Sequence, residues 1–193
     1  NWEVYVDTDS IVVLEECRSD PKLSHVTAYP RNQEFIDLEN DPENKLSPSL
    51  LMVENFLDMY VEDGEEKIVL THVTSPFLKA ETVEDAAKYL DNGYESVHSV
   101  LPVQDFAWQR TDEFVPINFN PSVVEKTQDV DTIYFSKGAF FIFTKDTFKL
   151  YNNRLGKKNY YYPLGLVESI EIDTPEDLEF ATLVHAGRIH EYY

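Results

Sequence analysis

The chain is expected to form an α/β domain with a mostly parallel twisted sheet flanked by helices, and three observations carry that expectation. Strand-like runs alternate with helix-like ones along most of the 193 residues, the order that produces parallel sheets. Lys67 to Val73 (KIVLTHV) is mostly apolar, as in strands covered on both faces. Near the C-terminus, Glu168 to Asp173 alternates polar and apolar residues like a half-buried strand. Thr174-Pro175-Glu176-Asp177 then reads as a helix entry, with a hydroxyl cap, proline at the first position and an acid at the third to bond back.

Trp2 to Val6 (WEVYV) opens the chain as a β-branched, aromatic strand. It leads through Asp7-Thr8-Asp9-Ser10 into a helical stretch ending near Glu16. Asp7 and Asp9 suit ligands and equally suit the turn and cap; spacing alone favours the second use. Val26 to Tyr29 is a second strand, closed by Pro30 and Arg31. Asn32 to Pro48 is polar, acidic and punctuated by prolines, so it reads as a surface loop with Ser47 or Ser49 capping the next helix. In that helix Leu50, Leu51, Val53, Phe56, Leu57 and Tyr60 repeat at helical spacing.

After an acidic turn around Gly64, the KIVLTHV strand ends in Thr74-Ser75-Pro76, and a helix from Glu81 to Leu90 is stopped by Asn92-Gly93. Ser96 to Val100 is another strand. From Leu101 to Asp131 regular period is lost while aromatics continue through Phe106, Trp108, Phe114 and Phe119. Such a stretch is either an arm that packs on another subunit or a hairpin packed on its own domain. Ser136-Lys137-Gly138 precedes a strand from Ala139 to Phe143 and a short helix from Asp146 to Leu150, and Asn152 to Tyr162 reads as a basic, tyrosine-rich loop.

The length suits a single domain over residues 1–193 with a substantial core. Sixteen Lys and Arg against 36 Asp and Glu leave a net charge of −20, which disfavours nucleic acid and anionic membrane as partners. An anionic substrate then needs a metal ion or local basic residues. The single cysteine, Cys17, excludes an internal disulfide, fits a reducing, cytoplasmic setting and is expected at a buried helix position. Ala139 to Phe143, the longest apolar run, is too short to cross a bilayer, and no secretory signal is visible. The chain starts at Asn1, directly in a strand-like run, so a segment upstream is expected. Of the histidines His25, His72, His98, His185 and His190, none fall at ligand spacing, and His72 stands out by its place near a strand end.

The alternation at the C-terminal strand puts Glu171 and Asp173 on one face, where two carboxylates can hold a hard divalent ion such as magnesium. The same acids also suit a solvated strand edge beside a helix N-terminus, and spacing alone favours that use.

Several motifs in collinear order resemble the acylneuraminate cytidylyltransferase family, the CMP-sialic acid synthetases and their relatives. Val6 to Ile11 (VDTDSI) is similar to VSTDDEEI, and Tyr29-Pro30-Arg31 to the strand-plus-Arg-Pro segment. Leu70 to Ala86 (LTHVTSPFLKAETVEDA) is similar to LLQPTSPFRTAEDIDEA, and ESVHSV to DSVVSV. Lys126-Thr127-Gln128-Asp129 resembles RRQD or RTQD, SKGAFFIF resembles ENGAFYIF, and SIEIDTPEDLEFA resembles SIDIDTPEDLELA.

The resemblance implies a Rossmann-like nucleotidyltransferase fold and transfer of CMP from CTP to the anomeric hydroxyl of a nonulosonic, sialic-acid-like 2-keto acid, with release of pyrophosphate. It implies magnesium on Glu171 and Asp173, which would also be the catalytic acids. The acid would be bound by His72, Thr74, Ser75, Lys126, Gln128, Lys137, Gly138 and Phe140, and the nucleotide by Asp9 and Arg31. It further implies a homodimer, with residues 101–135 reaching to the other subunit's sugar pocket. The chain departs from the family at Glu171 for aspartate, His72 for glutamine, Lys126 for arginine and Lys137 for asparagine, and it contains no counterpart of the triphosphate loop PARGGSKRIPRKN. A non-catalytic domain of the same fold that binds a sugar acid or a partner subunit is the competing expectation.

Overall fold

A computed structural model of the chain describes residues 2–44 and 47–187; His190 lies outside them. The chain divides into two compact units, Asn1–Glu62 and Asp63–Tyr193.

In the first unit, β1 (Val4–Thr8) and β2 (Val26–Pro30) pair in parallel, Val4 opposite Val26 and Thr8 opposite Pro30. β1 begins later than the WEVYV run and takes in Asp7 and Thr8, because the ladder with β2 continues through them. α1 (Ile11–Ser19) follows Ser10, whose Oγ accepts from Val13 N at 3.4 Å. Cys17 lies on this helix, half-buried.

The stretch read as a loop after Arg31 instead contains α2 (Gln33–Asn40). Asn32 Oδ1 accepts from Glu34 N at 3.0 Å to cap it, and Phe35 buries its ring; one buried aromatic and one cap outweigh the acidic composition. α3 (Ser49–Tyr60) has Pro48 at the cap position without a side-chain bond, while Ser47 Oγ accepts from Ser49 N at 3.2 Å. Rings of Tyr5 and Tyr29 from the strands meet Phe56 and Tyr60 of α3 at centroid distances of 4.9 to 5.3 Å, so the helical spacing does mark the face that packs on the strands.

The second unit is built on a four-stranded sheet in the order β3 (Lys67–Thr71), β7 (Ile133–Thr144), β4 (Ser96–Val103), β8 (Asn159–Pro163). β7 is antiparallel to both β3 and β4, and β8 is parallel to β4. The sheet is therefore mixed: β3, β4 and β8 run one way and β7 runs back between them. α4 (Ala80–Asp91) packs Ala86 and Ala87 on Val97, Ala139, Phe140, Ile142 and Leu164. The two alanines let the helix axis approach the sheet closely, and each large apolar side chain buried there contributes roughly 1.5–3 kcal/mol. α4 stops at Asn92, and Gly93 takes φ +79°, which a side chain would resist.

Three further expectations change. The tyrosine-rich stretch supplies β8, since Tyr160 to Tyr162 ladder onto Val97 to Ser99. The excursion contains a hairpin of β5 (Trp108–Arg110) and β6 (Phe114–Pro116). The stretch from Glu168 to Asp173 is not a strand: residues 166–169 turn, and Ile172 N reaches Thr74 O at 2.8 Å without a ladder. Its alternation reflects two glutamates that turn to different backbone donors, Glu168 to Lys79 N and Glu171 to Gly138 N. α5 (Lys145–Tyr151) and α6 (Pro175–Ala186) complete the unit. Thr174 and Asp177 form the expected capping box, with Thr174 N donating to Asp177 Oδ2 at 2.9 Å and Asp177 N to Thr174 Oγ1 at 3.2 Å.

Candidate functional site

The site is organised by an irregularity between β4 and β7. His98 faces Phe141, yet Val100 faces Ser136, so Lys137, Gly138, Ala139 and Phe140 stand opposite Ser99 alone. A bulge of this kind re-aims side chains at the cost of ladder bonds. Ser99, fully buried, replaces them: its Oγ lies 2.7 Å from Lys137 O, to which it donates, and accepts from Phe140 N at 3.1 Å.

The bulge turns Gly138 N and the Lys137 side chain toward the segment before α6. Gly138 N donates to Glu171 Oε1 at 2.7 Å, and Lys137 Nζ lies 3.1 Å from Glu171 Oε2. A Cβ on Gly138 would come within 2.9 Å of Glu171 Oε1 and 3.1 Å of His72 Nδ1, so only glycine leaves room for both groups. The same segment is tied to the turn after β3 by Ile172 N on Thr74 O, and to the start of α4 by Glu168 Oε1, which accepts from Lys79 N at 3.0 Å and Thr82 Oγ1 at 2.7 Å. Ser75 is buried, and its Oγ has no hydrogen-bond partner among the described residues.

Beside this group lies an aromatic stack. His98 is parallel to Phe141 at 4.3 Å, with Nε2 2.6 Å from Ser136 Oγ, and Arg154 Cζ stands 3.6 Å from the same ring centre. Two planar groups at those distances cannot share one face, so they sandwich the ring. His72 lies 6.3 Å from Phe141. Burial, reinforced by the Arg154 charge, holds the His72 pKa below its ordinary value, with Glu171 and Asp173 pulling the other way. His98 is lowered for the same first reason, the Phe140 backbone, Arg154 and Glu171 acting after burial. Both rings are therefore neutral at neutral pH.

His72, Lys137, Gly138 and Glu171 are thus brought together, with Thr74 and Ser75 on the adjoining turn and Asp173 exposed two residues beyond Glu171. Phe140 is not available to a ligand: it is fully buried in the core beneath α4, because the bulge points Phe141 and not Phe140 at this face. Lys126 occupies the N-cap position of a short 3-10 turn (Thr127–Asp129) that contains Gln128; both are exposed, and no hydrogen bond joins their side chains to the His72–Glu171 group. Asp9 and Arg31 belong to the first unit; Asp9 is exposed, and Arg31 is held by Asp7 at 2.8 Å and Glu39 at 3.2 Å. Burial works against the Arg31 charge, and these acids more than offset it. Sequence reasoning missed Ser99, Ser136, His98 and Arg154; the only hints were a histidine and a serine inside otherwise apolar strand runs.

No set of three or more His, Cys, Asp or Glu side chains among the described residues is placed to hold a metal ion. Glu171 and Asp173 are hard oxygen donors of the right type for magnesium, but both oxygens of Glu171 already accept from protein donors. The pair suits an ion carried in by phosphates, and not one held by protein alone.

The fold has counterparts among solved structures. The chain superposes on a crystal structure of 4-diphosphocytidyl-2C-methyl-D-erythritol synthase with a TM-score of 0.59 and 10% identity, covering 94% of this chain and 78% of that one. The corresponding protein of Anaerococcus prevotii gives 0.53 and 15%, covering 91% and 84%. The fold is that of the α/β, Rossmann-like nucleotidyltransferases. No family model matches the chain. In sequence it is similar to the N-acylneuraminate cytidylyltransferases of Streptococcus agalactiae serotypes V and III, each 26% identical over 185 residues that cover 91% of this chain. The chain spans 40% of the length of those relatives. Among the described residues no helix is long and apolar enough to cross a membrane.

Proposed function

We propose that this chain serves a cytidylyltransferase that moves CMP from CTP to the anomeric hydroxyl of a nonulosonic 2-keto acid. The observation that supports it is the convergence of the TSP turn, the Lys137-Gly138 bulge and the segment through Glu171 on one face, tied by Ile172 N to Thr74 O and Gly138 N to Glu171 Oε1. In the reaction the anomeric oxygen bonds to the α-phosphorus, the bond to the bridging oxygen breaks, and pyrophosphate leaves. Neutral His72 offers one donor and one acceptor to the hydroxyl and can take its proton. Thr74, Ser75, Lys137 and Gly138 orient the acid around it. Asp173, with Glu171, would hold magnesium, which neutralises charge on the phosphate oxygens. Asp9 and Arg31 are proposed for the nucleotide. Lys126 and Gln128 would reach the acid from the partner in a homodimer, for which the exposed apolar residues Trp108, Phe114 and Val115 of the hairpin provide surface.

The test is pyrophosphate release with CTP, magnesium and a panel of nonulosonic acids, on the parent chain and on Asp173→Asn. Release that needs both substrates and disappears in Asp173→Asn, at an unchanged melting temperature, supports the reading. Absence of release with every acid overturns it.

A further inference from the structure

Arg154 is a partly buried cation with no ion pair among the described residues. Its guanidinium is half-buried against Phe141. Nη1 is shut off from solvent without a hydrogen-bond acceptor, and no carboxylate among the described residues lies within ion-pair distance. That is unusual in a chain with 36 acidic side chains against 16 basic ones, where a counter-ion is the easiest partner to supply. Burying charge without one is costly, and here the burial is not relieved by any neighbouring acid: desolvation alone acts on Arg154, lowering its pKa.

The position of the guanidinium is also fixed. Phe141 carries it on one face and is itself pressed by His98 on the other, with His98 anchored to Ser136. The two distances through the Phe141 ring, 3.6 Å to Arg154 and 6.3 Å to His72, keep the guanidinium within a sugar's reach of the His72–Glu171 group. A planar fork of donors held flat on an aromatic ring is suited to take a carboxylate by two parallel hydrogen bonds.

We infer that Arg154, held flat by Phe141, binds the carboxylate of the acid substrate and so selects 2-keto sugar acids over neutral sugars. The assignment rests on the reaction proposed above for the acid's identity, but not for the anion site itself. Lys137 does not compete for this task, since its ammonium is paired to Glu171. A phosphate group presents the same chemistry, and the experiment separates the two.

The probes are N-acetylneuraminic acid, its methyl ester, CTP and inorganic phosphate, titrated calorimetrically into the parent chain and into Arg154→Met and Arg154→Lys. The acid is expected to bind the parent chain, and the ester at least about tenfold more weakly, as for loss of a charge-assisted hydrogen bond. Arg154→Met should lose the acid by a similar factor and hold CTP unchanged; Arg154→Lys, which keeps the charge without the fork, should fall between. The acid and ester comparison needs no variant, so a variant that fails to fold leaves it intact. Equal binding of acid and ester, binding of neither, or loss of CTP and phosphate with the acid unaffected overturns the assignment. Pyrophosphate release scores the reaction separately. Release with an unchanged KM for the acid in Arg154→Met removes Arg154 and leaves the transferase, whereas selective binding of the acid without release removes the transferase and leaves Arg154.

Discussion

Lys137 Nζ lies 3.1 Å from Glu171 Oε2, while the next residue, Gly138, donates its N–H to Oε1 of the same carboxylate at 2.7 Å. The two positions are among those at which the sequence departs from its resemblance, and the structure shows the departures meeting. The longer glutamate reaches the bulge, and the ammonium neutralises it there.

The pair is partly buried, with side-chain exposures of 23% and 20%, so its coupling should exceed that of a surface pair. A double-mutant cycle of Lys137→Met and Glu171→Gln, read by chemical denaturation, is expected to give a coupling of about 1 kcal/mol. A value indistinguishable from zero would show that the contact is incidental.

Gly138→Ala would force Glu171 or His72 to move, since the new Cβ would come within 2.9 Å of one and 3.1 Å of the other. Loss of about 1–3 kcal/mol is expected, as for overpacking elsewhere, together with loss of pyrophosphate release. An unchanged melting temperature would mean that the two side chains are held less closely than described.

Ser99 has no solvent exposure and its hydroxyl takes the place of ladder bonds for the bulge. Ser99→Ala should cost about 1–3 kcal/mol by leaving Lys137 O and Phe140 N short of a partner. Amide exchange should then quicken at Phe140 more than at Val97 or Ile142, which remain in the regular ladder.

His98 and His72 both have folded-state pKa values below the ordinary 6.5, burial being the main cause. The unfolded chain therefore binds protons more readily than the folded one as acid is added. The stability that neutral histidines contribute is complete above 6.5 and is lost as pH falls from there through the lower folded-state values. Thermal melts between about pH 7 and 5 should show this decline, and His98→Phe, which keeps the stack on Phe141, should flatten it in part. An identical slope in the variant would place the dependence on His72 alone.

Features that depend on near neighbours are legible in the amino-acid order alone. The capping box of α6 is a matter of Thr174 and Asp177, three residues apart; α3 follows from apolar spacing, and α4's stop follows from Asn92-Gly93. Composition likewise determined the net charge and the absence of an internal disulfide. Where the local signal misleads, the deciding partner is remote. Alternation at Glu168 to Asp173 reports which way side chains face, but a strand also needs a neighbouring backbone, and the one there is offers Ile172 a single carbonyl, Thr74 O. Tyr160 to Tyr162 lacked the alternation of a strand and became one because β4 supplies a parallel edge. The site depended on tertiary structure most of all. Ser99 lies some forty positions from the bulge it holds, and His98 and Arg154 meet at Phe141 from either side of the chain. Only the pairing of β7 with β3 and with β4, and the irregularity in the second, brings two neutral imidazoles and an unpaired guanidinium around Phe141.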